Sequence, residues 1–391
     1  MTGRAGYSLV ELLVATAITL SAMGATLPIV GSLHAGFATE GERADLMQRL
    51  RVASDALARD MAMAGAGTHQ GSGAGPLGFF AASVFPFRQG ALSPDPPGTF
   101  RTDTLTVVYV PAGTAAQTTI QQPMAALSGS ALINIDAGCP QGDPNCGFTR
   151  GSDVIMYDGT AAYDTFRVTS AQDGVLQLQH TMTDSAQVYP AGATIAQVAV
   201  HTYFLKTDPA TNTYQLMHYD GVNSDAAVVD HVVGLAFEYF GEPAPPVLLE
   251  SAADPAGPWT TYGPKPPPPT TRTTAYPAGE NCVFQLDDSG QHQIPRLPAL
   301  GNGTTLVPLG AEQLIDGPWC PDELSPHRYD ADLLRVRKIG ITVRVEAAST
   351  SLRGPAGALF SRGGTSRSAE RWIADQEIHL EVTPANLNVS R

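Results

Sequence analysis

The chain is poor in charge. Asp, Glu, Lys and Arg make up 15% of its 391 residues, with only 23 basic side chains against 37 acidic ones, a formal net charge of −14. Without a basic surplus, little is available to displace the counterions of a phosphate backbone, which argues against nucleic acid as a partner. Acidity of this size speaks to solubility rather than to fold. Catalytic signatures are missing too: the sequence contains no G-x-S-x-G, H-E-x-x-H, P-loop or G-x-G-x-x-G. "DDSGQH" at 287–292 sets Ser289 near Asp287 and His292. Sequence adjacency is not triad geometry, and a polar loop is the plainer reading. The 9 histidines are scattered, with no i,i+4 pair on a helix. No enzymatic activity, no cofactor and no metal are expected.

Cysteine is scarce but even in number. The 4 cysteines are Cys139, Cys146, Cys282 and Cys320. An even count suits an oxidising compartment and leaves three connectivities open. Zinc competes poorly, because there is no C-x-x-C pair and no histidine at finger spacing. Sequence proximity favours Cys139–Cys146 and Cys282–Cys320. The 39 Gly and 31 Pro, with low charge, suggest a β-rich, loop-rich, extracytoplasmic protein. The length fits two domains, or one elaborated domain plus an anchor.

Charge is missing most completely between Glu11 and Glu40, where no residue is formally charged. Residues 7–37 would extend about 46 Å as a helix, against about 30 Å of hydrocarbon core. A secretory signal peptide has a shorter apolar core and no acid, although Ser21-Ala22-Met23-Gly24-Ala25 offers a stretch where such a signal would be cut. A plain signal anchor explains the length but not Glu11. A charge near the centre of a bilayer helix costs roughly 2.5–3.5 kcal/mol on insertion scales.

The residues around Glu11 belong together. Gly6, Tyr7, Ser8, Leu9, Val10, Glu11 and Leu12 read G-[FY]-S-L-x-E-L. This resembles the class III signal of type IV pilins and type II secretion pseudopilins, with tyrosine in place of the commoner phenylalanine. The resemblance implies cleavage between Gly6 and Tyr7 by a prepilin peptidase, and methylation of the new amine on Tyr7. It also implies that the apolar helix is kept and later packs into a filament. There, Glu11 of one subunit neutralises the Tyr7 amine of a neighbour, and breaking one partner of such a buried pair costs several kcal/mol. Pro28 stands at a depth where pilin helices often carry a proline and bend or locally melt. "RVASDALARDMAMAGAG", from Arg51, further resembles PilW-like minor pilins and the J-type pseudopilins.

Beyond Glu40 the pattern turns amphipathic. Leu46, Leu50, Ala53, Leu57 and Met61 recur at spacings of three or four, one face of a helix. Asp45–Arg49, Arg51–Asp55 and Asp55–Arg59 stand at i,i+4 on its polar side. Gly65 and Gly67 end it. A nearly continuous helix over 8–64 is expected, apolar below and striped above.

After residue 70 the sequence reads as β. Ile339, Ile341, Val343 and Val345 alternate with Gly340, Thr342 and Arg344, and Ile378, Leu380 and Val382 alternate with His379 and Glu381. Further strand candidates are Leu105–Val110, Ala131–Ile135, Val154–Tyr157, Phe166–Thr169, Val175–Gln179, Ile195–Leu205, Tyr214–Tyr219 and Leu235–Phe240. No βαβ rhythm runs through them. "GPKPPPPTTRTTAYP" at 263–277 reads as an exposed polyproline excursion. Asp322 and Glu323, with Asp330 and Asp332, supply oxygens of the kind calcium takes, but their spacing matches no EF-hand and a solvated loop is the reading.

The expected fold is α+β and pilin-like, a long N-terminal helix packed on a large antiparallel β-rich head. Its parts are a leader at 1–6, a transmembrane or filament-core helix at 7–37, an amphipathic helix at 38–66, and a head at 67–391 with a Pro-rich insertion at about 243–278. The expected function is that of a minor pilin, assembled into or priming a type IV pilus near its tip. The alternatives are a type II secretion pseudopilin and a membrane-tethered extracytoplasmic binding protein or enzyme. The resemblance implies a prepilin peptidase, other major and minor pilins, the inner-membrane assembly platform and the inner membrane itself as partners. It places the chain across the bacterial inner membrane with its head in the periplasm, and outside the cell after assembly.

Overall fold

The computed structural model describes residues 8–67, 82–90, 92–111, 116–125, 129–136, 138–157, 163–180, 188–221, 224–245, 276–277, 280–320, 323 and 328–388, except for the side chains of 27–38, 163–165 and 180. The leader, Gly6, Tyr7, Asp322 and nearly all of the Pro-rich insertion lie outside these residues. Two compact units divide the chain, residues 1–50 with 345–376 and residues 51–344 with 377–391.

One helix, α1 (Leu9–Met63), takes up the N-terminal region. Its stretch Leu9–Thr26 is long and apolar enough to cross a membrane, and none of it is buried. The helix continues through Pro28, in keeping with the nearly continuous helix expected over 8–64. Further along, Leu46, Leu50, Ala53, Leu57 and Met61 are all buried, as an apolar stripe at helical spacing requires. The Asp45–Arg49 pair forms on the wet side. Just past the helix, Gly65 takes φ +74° and donates its N–H to the Val108 carbonyl at 3.1 Å. A side chain there would meet Leu387, because an added Cβ would lie 2.5 Å from its Cδ2. Glycine is therefore needed for the turn, while the half-buried Leu387 side chain would have to shift to admit a larger residue.

The unit formed by residues 1–50 and 345–376 is held by charge in a dry setting. Glu346 is fully buried and faces two guanidiniums. Arg353 donates to its Oε2 at 2.7 Å, and Arg362 donates to both oxygens, reaching Oε2 at 2.9 Å. Glu42 of α1 accepts the Ala348 N–H in the same unit.

The unit formed by residues 51–344 and 377–391 carries the sheets. A five-stranded sheet has the order β1-β2-β9-β10-β11, from β1 (Val84–Phe85), β2 (Thr104–Tyr109), β9 (Ala199–Asp208), β10 (Thr213–Tyr219) and β11 (Asp225–Asp230). A six-stranded sheet has the order β3-β8-β5-β6-β7-β4, from β3 (Gln117–Thr119), β4 (Ser130–Leu132), β5 (Asp153–Tyr157), β6 (Tyr163–Gln172), β7 (Val175–His180) and β8 (Thr194–Gln197). Its two edges meet. Gln121 donates to the Leu132 carbonyl at 2.7 Å, Asn134 donates to Thr119 at 2.8 Å, and Ile120 bridges Ile133. Among the described residues the sheet thus closes on itself where β3 and β4 end. Inside stand Ile120, Ile133, Met156, Phe166, Leu176 and Ile195. A third sheet, β15-β12-β18-β19, is built from β12 (Val232–Gly241), β15 (Val307–Leu309), β18 (Val336–Val345) and β19 (Gln376–Val382). Two short hairpins, β13 (Phe284–Leu286) with β14 (Gln293–Pro295) and β16 (Trp319–Cys320) with β17 (Tyr329–Asp330), complete it.

The single strand expected over Ile195–Leu205 is two strands. It breaks at Val198, where β8 leaves the closed sheet and β9 begins in the open one. The Val198 N–H turns to the Asp153 carbonyl at 2.9 Å at this crossing. Period-2 alternation cannot reveal such a break, because neither half alternates cleanly between buried and exposed residues. The architecture is α+β, with an N-terminal apolar helix and a large antiparallel β-rich region.

Candidate functional site

At the start of α1, Ser8 and Glu11 cap the helix reciprocally. The Ser8 N–H donates to Glu11 Oε2 at 2.9 Å, and the Glu11 N–H donates to Ser8 Oγ at 3.2 Å. This is a capping box, S-x-x-E, which satisfies two backbone donors that a helix start otherwise leaves open. It also places a negative charge at the positive end of the helix dipole. Ser8-Leu9-Val10-Glu11 carries the signal openly, so Glu11 has a use within its own chain beside the one implied by the pilin resemblance.

The four cysteines pair as Cys139–Cys146 and Cys282–Cys320. The first bridge closes a turn beside the closed sheet, with Cys146 buried in its core. The second ties the stretch just before β13 to β16.

Of the acidic residues expected in a solvated loop near the second bridge, Glu323 is exposed as such a loop requires, but the other two described ones are not. Asp330 and Asp332 are buried. Asp330 accepts the N–H groups of Gly317 at 2.6 Å and Asp332 at 2.8 Å, and so caps a short 3₁₀ turn. Asp332 pairs with the buried Arg335 at 2.6 Å. Burial pushes the Asp330 carboxyl up to about 7, against the pull of its two backbone donors. A guanidinium and two backbone donors already hold these oxygens, which makes the arrangement structural.

The loop 287–292 is a turn and not a triad. Ser289 Oγ donates to Asp287 Oδ1 at 2.7 Å, and His292 Nδ1 meets Asp287 Oδ2 at 2.9 Å. Both partners bind the aspartate, as in an Asx turn. They hold its carboxyl well below the usual range, the Ser289 hydroxyl most of all.

A third cluster was not anticipated from the sequence. Asp60, on the last turns of α1, joins Tyr109 of β2, His201 and Tyr203 of β9, and His218 of β10. Tyr203 donates to Asp60 Oδ2 at 2.6 Å, and Tyr109 donates to Oδ1 at 3.2 Å. His201 Nδ1 stands 3.3 Å from Oδ2 and also faces His218 Nε2 in a very close contact. The Tyr109 ring stacks on His201, with centroids 5.4 Å apart and an interplanar angle of 9°. Strand register explains the meeting. His218 lies directly opposite Tyr203, while His201 and Tyr203 share a face two residues apart. Burial pushes both imidazoles below their ordinary value, opposed by the nearby Asp60 charge. Burial raises both phenols strongly, and Asp60 adds to this. The phenols therefore stay neutral and act as donors to the carboxylate.

Comparison with known proteins leaves the assignment to these residues: no family model matches the chain, and no match was found among curated proteins or solved structures.

Proposed function

We propose that the chain is an assembly subunit of the type IV pilin class, a PilW-like minor pilin anchored in the bacterial inner membrane, with its head in the periplasm. The observation that carries this reading is the single helix α1, Leu9–Met63. Its first stretch is apolar and wholly exposed, and its later stripe is buried. A lipid bilayer can cover the exposed stretch first, and the helices of other subunits can replace it. Leu9, Val10, Leu12, Leu13, Ile18 and Leu20 are each at least 60% exposed, an apolar surface that water does not tolerate in a lone chain. The G-[FY]-S-L-x-E-L match adds a processing site at Gly6–Tyr7. The two disulfides fit a head that matures in an oxidising compartment.

In this reading the protein works by assembly rather than chemistry. The anchor holds it until the assembly platform extracts it, and Glu11 meets the Tyr7 amine of a neighbour. A large head belongs near the filament tip, where its bulk does not obstruct helical packing.

N-terminal sequencing of the membrane-extracted protein, with its recovery in sheared filaments, tests the proposal. A mature chain beginning at N-methylated Tyr7 and found in the filament pool is expected. A chain cut after Ala22 or Ala25 would refute the reading. Loss of secretion without loss of pili would move it to the pseudopilin alternative.

A further inference from the structure

We propose that Asp60, His201 and His218 bind one divalent transition-metal ion of the Zn²⁺ type, which ties the last turns of α1 to β9 and β10. The inference is independent of the assembly reading. One donor atom from each of the three residues lies within 4.8 Å of the others. Zinc holds nitrogen and oxygen ligands at about 2.0–2.2 Å, so a tetrahedral pair of donors stands about 3.3 Å apart. His201 Nδ1 and Asp60 Oδ2 already stand 3.3 Å apart. The His201 Nδ1 to His218 Nε2 distance, 2.5 Å, has to open by less than ~1 Å, within reach of small side-chain rotations.

The donor set selects the metal. Two imidazoles and one carboxylate suit zinc and its first-row neighbours, whereas calcium and magnesium take oxygen ligands. The surroundings also fit a metal site. His201 Nε2 faces the Tyr109 hydroxyl at 3.4 Å, and that hydroxyl donates to Asp60 Oδ1. Tyr203 donates to Asp60 Oδ2. Such outer partners fix ring orientation and carboxylate position around a bound ion. The His201 side chain is 24% exposed, which leaves the ion a way in. The competing arrangement is a plain hydrogen bond between the two imidazoles. It explains their closeness, and in it the Asp60 charge has its two phenol donors and the nearby Arg59 charge, so bound zinc is what separates the two arrangements.

The test uses the untagged full-length chain in detergent micelles, stripped with EDTA, desalted, and supplied with Zn²⁺ alone or Ca²⁺ alone. Elemental analysis after desalting should find one zinc per chain and no calcium. Chelator competition should show affinity falling about 100-fold or more in His218→Gln and Asp60→Asn, and about tenfold in Tyr109→Phe, where only an outer partner is lost. No retained zinc, retention undiminished in both ligand variants, or calcium held in its place would each overturn the proposal. Should circular dichroism show that a ligand variant is unfolded, X-ray absorption on zinc-loaded wild type decides. Two imidazoles and an oxygen at about 2.0–2.2 Å support the site, and a shell without imidazole refutes it.

Discussion

Glu11 caps its own helix and, in the proposed assembly, pairs with a neighbour; substitutions separate the two roles. Within the chain it completes the capping box with Ser8 through bonds of 2.9 and 3.2 Å. In an assembled filament it would neutralise a neighbour's amine. Glu11→Ala removes both. Glu11→Gln keeps the box, since a glutamine side chain accepts the same N–H, but cannot neutralise a charge. Ser8→Ala keeps the carboxylate and loses one bond of the box. Loss of a cap costs about 1 kcal/mol, roughly a fivefold effect. Loss of a buried pair costs about 3–5 kcal/mol, which is 100-fold or more.

Each variant is expressed beside wild-type partners, and the membrane and sheared-filament pools are compared by quantitative immunoblot. Neutralisation predicts that Glu11→Ala and Glu11→Gln both fall at least about 100-fold in the filament pool, while Ser8→Ala stays within about fivefold of wild type. Membrane insertion should hold or improve in both Glu11 variants, because a costly charge has gone. If capping were the whole role, Glu11→Gln would match wild type, and Glu11→Ala would resemble Ser8→Ala. That outcome would refute the pairing argument and remove one support of the pilin reading.

The remaining predictions concern the rest of the chain and are read by urea unfolding of the full-length protein followed by tryptophan fluorescence, unless stated. Glu346→Ala should destabilise its unit by about 3–5 kcal/mol, because Arg353 and Arg362 then lose the buried carboxylate they share; a change below 1 kcal/mol would contradict this. Gly65→Ala should cost about 1–2 kcal/mol for its left-handed backbone, whereas Gly24→Ala, in open space within α1, should be neutral or slightly stabilising. Replacing Cys282 and Cys320 together by serine should cost about 4 kcal/mol by chain entropy, and nonreducing peptide mapping of wild type should recover both bridges. Asp330 binds its proton more tightly in the folded chain, at about 7, than the ordinary value of about 3.9. Its contribution is therefore complete below about pH 4 and is lost as pH rises towards 7. The stability difference between wild type and Asp330→Asn should shrink across that window, and a flat difference would show that the carboxyl is ionised throughout.

The helix was legible in the sequence nearly to the residue, because its signals are local. The stripe Leu46–Met61, the positive-φ Gly65 and the apolar run each act within a few turns. The strands were legible where alternation was clean, as at Ile339–Val345. β11, Asp225–Asp230, was not, since its exposed edge position leaves only Val229 buried and so no alternation to see. Closure of the six-stranded sheet was invisible for another reason. It depends on β3 and β4, three residues each, whose meeting is fixed by backbone bonds and by the Thr118, Gln121 and Asn134 side chains, polar residues that carry no apolar alternation to see. Burial of Asp330 and Asp332 was misread because an aspartate that caps a turn and one that faces water look alike in sequence. Arg335, three residues beyond Asp332, was the available hint.

The Asp60 cluster marks where local reading ends. His201 and Tyr203 share a face by the period of two, and the sequence "HTY" states that much. That His218 lies opposite Tyr203 requires the register of β9 on β10. That Tyr109 joins them requires β2 to pair with β9 across roughly ninety intervening residues. That Asp60 completes the group requires α1 to turn one particular face to the sheet. Only this last condition can be read from sequence. Asp60 stands three residues after Leu57 and four before Ala64, both fully buried, so the helix must carry a carboxylate on its dry side. An acid on a buried face is costly unless something pairs with it. Its presence predicts that partners converge on it from elsewhere in the chain. Two phenols supply hydrogen bonds there, and two imidazoles supply nitrogen donors without a settled positive charge. Asp60, His201 and His218 bring their donors close enough for one ion, and the zinc titration measures whether one is bound.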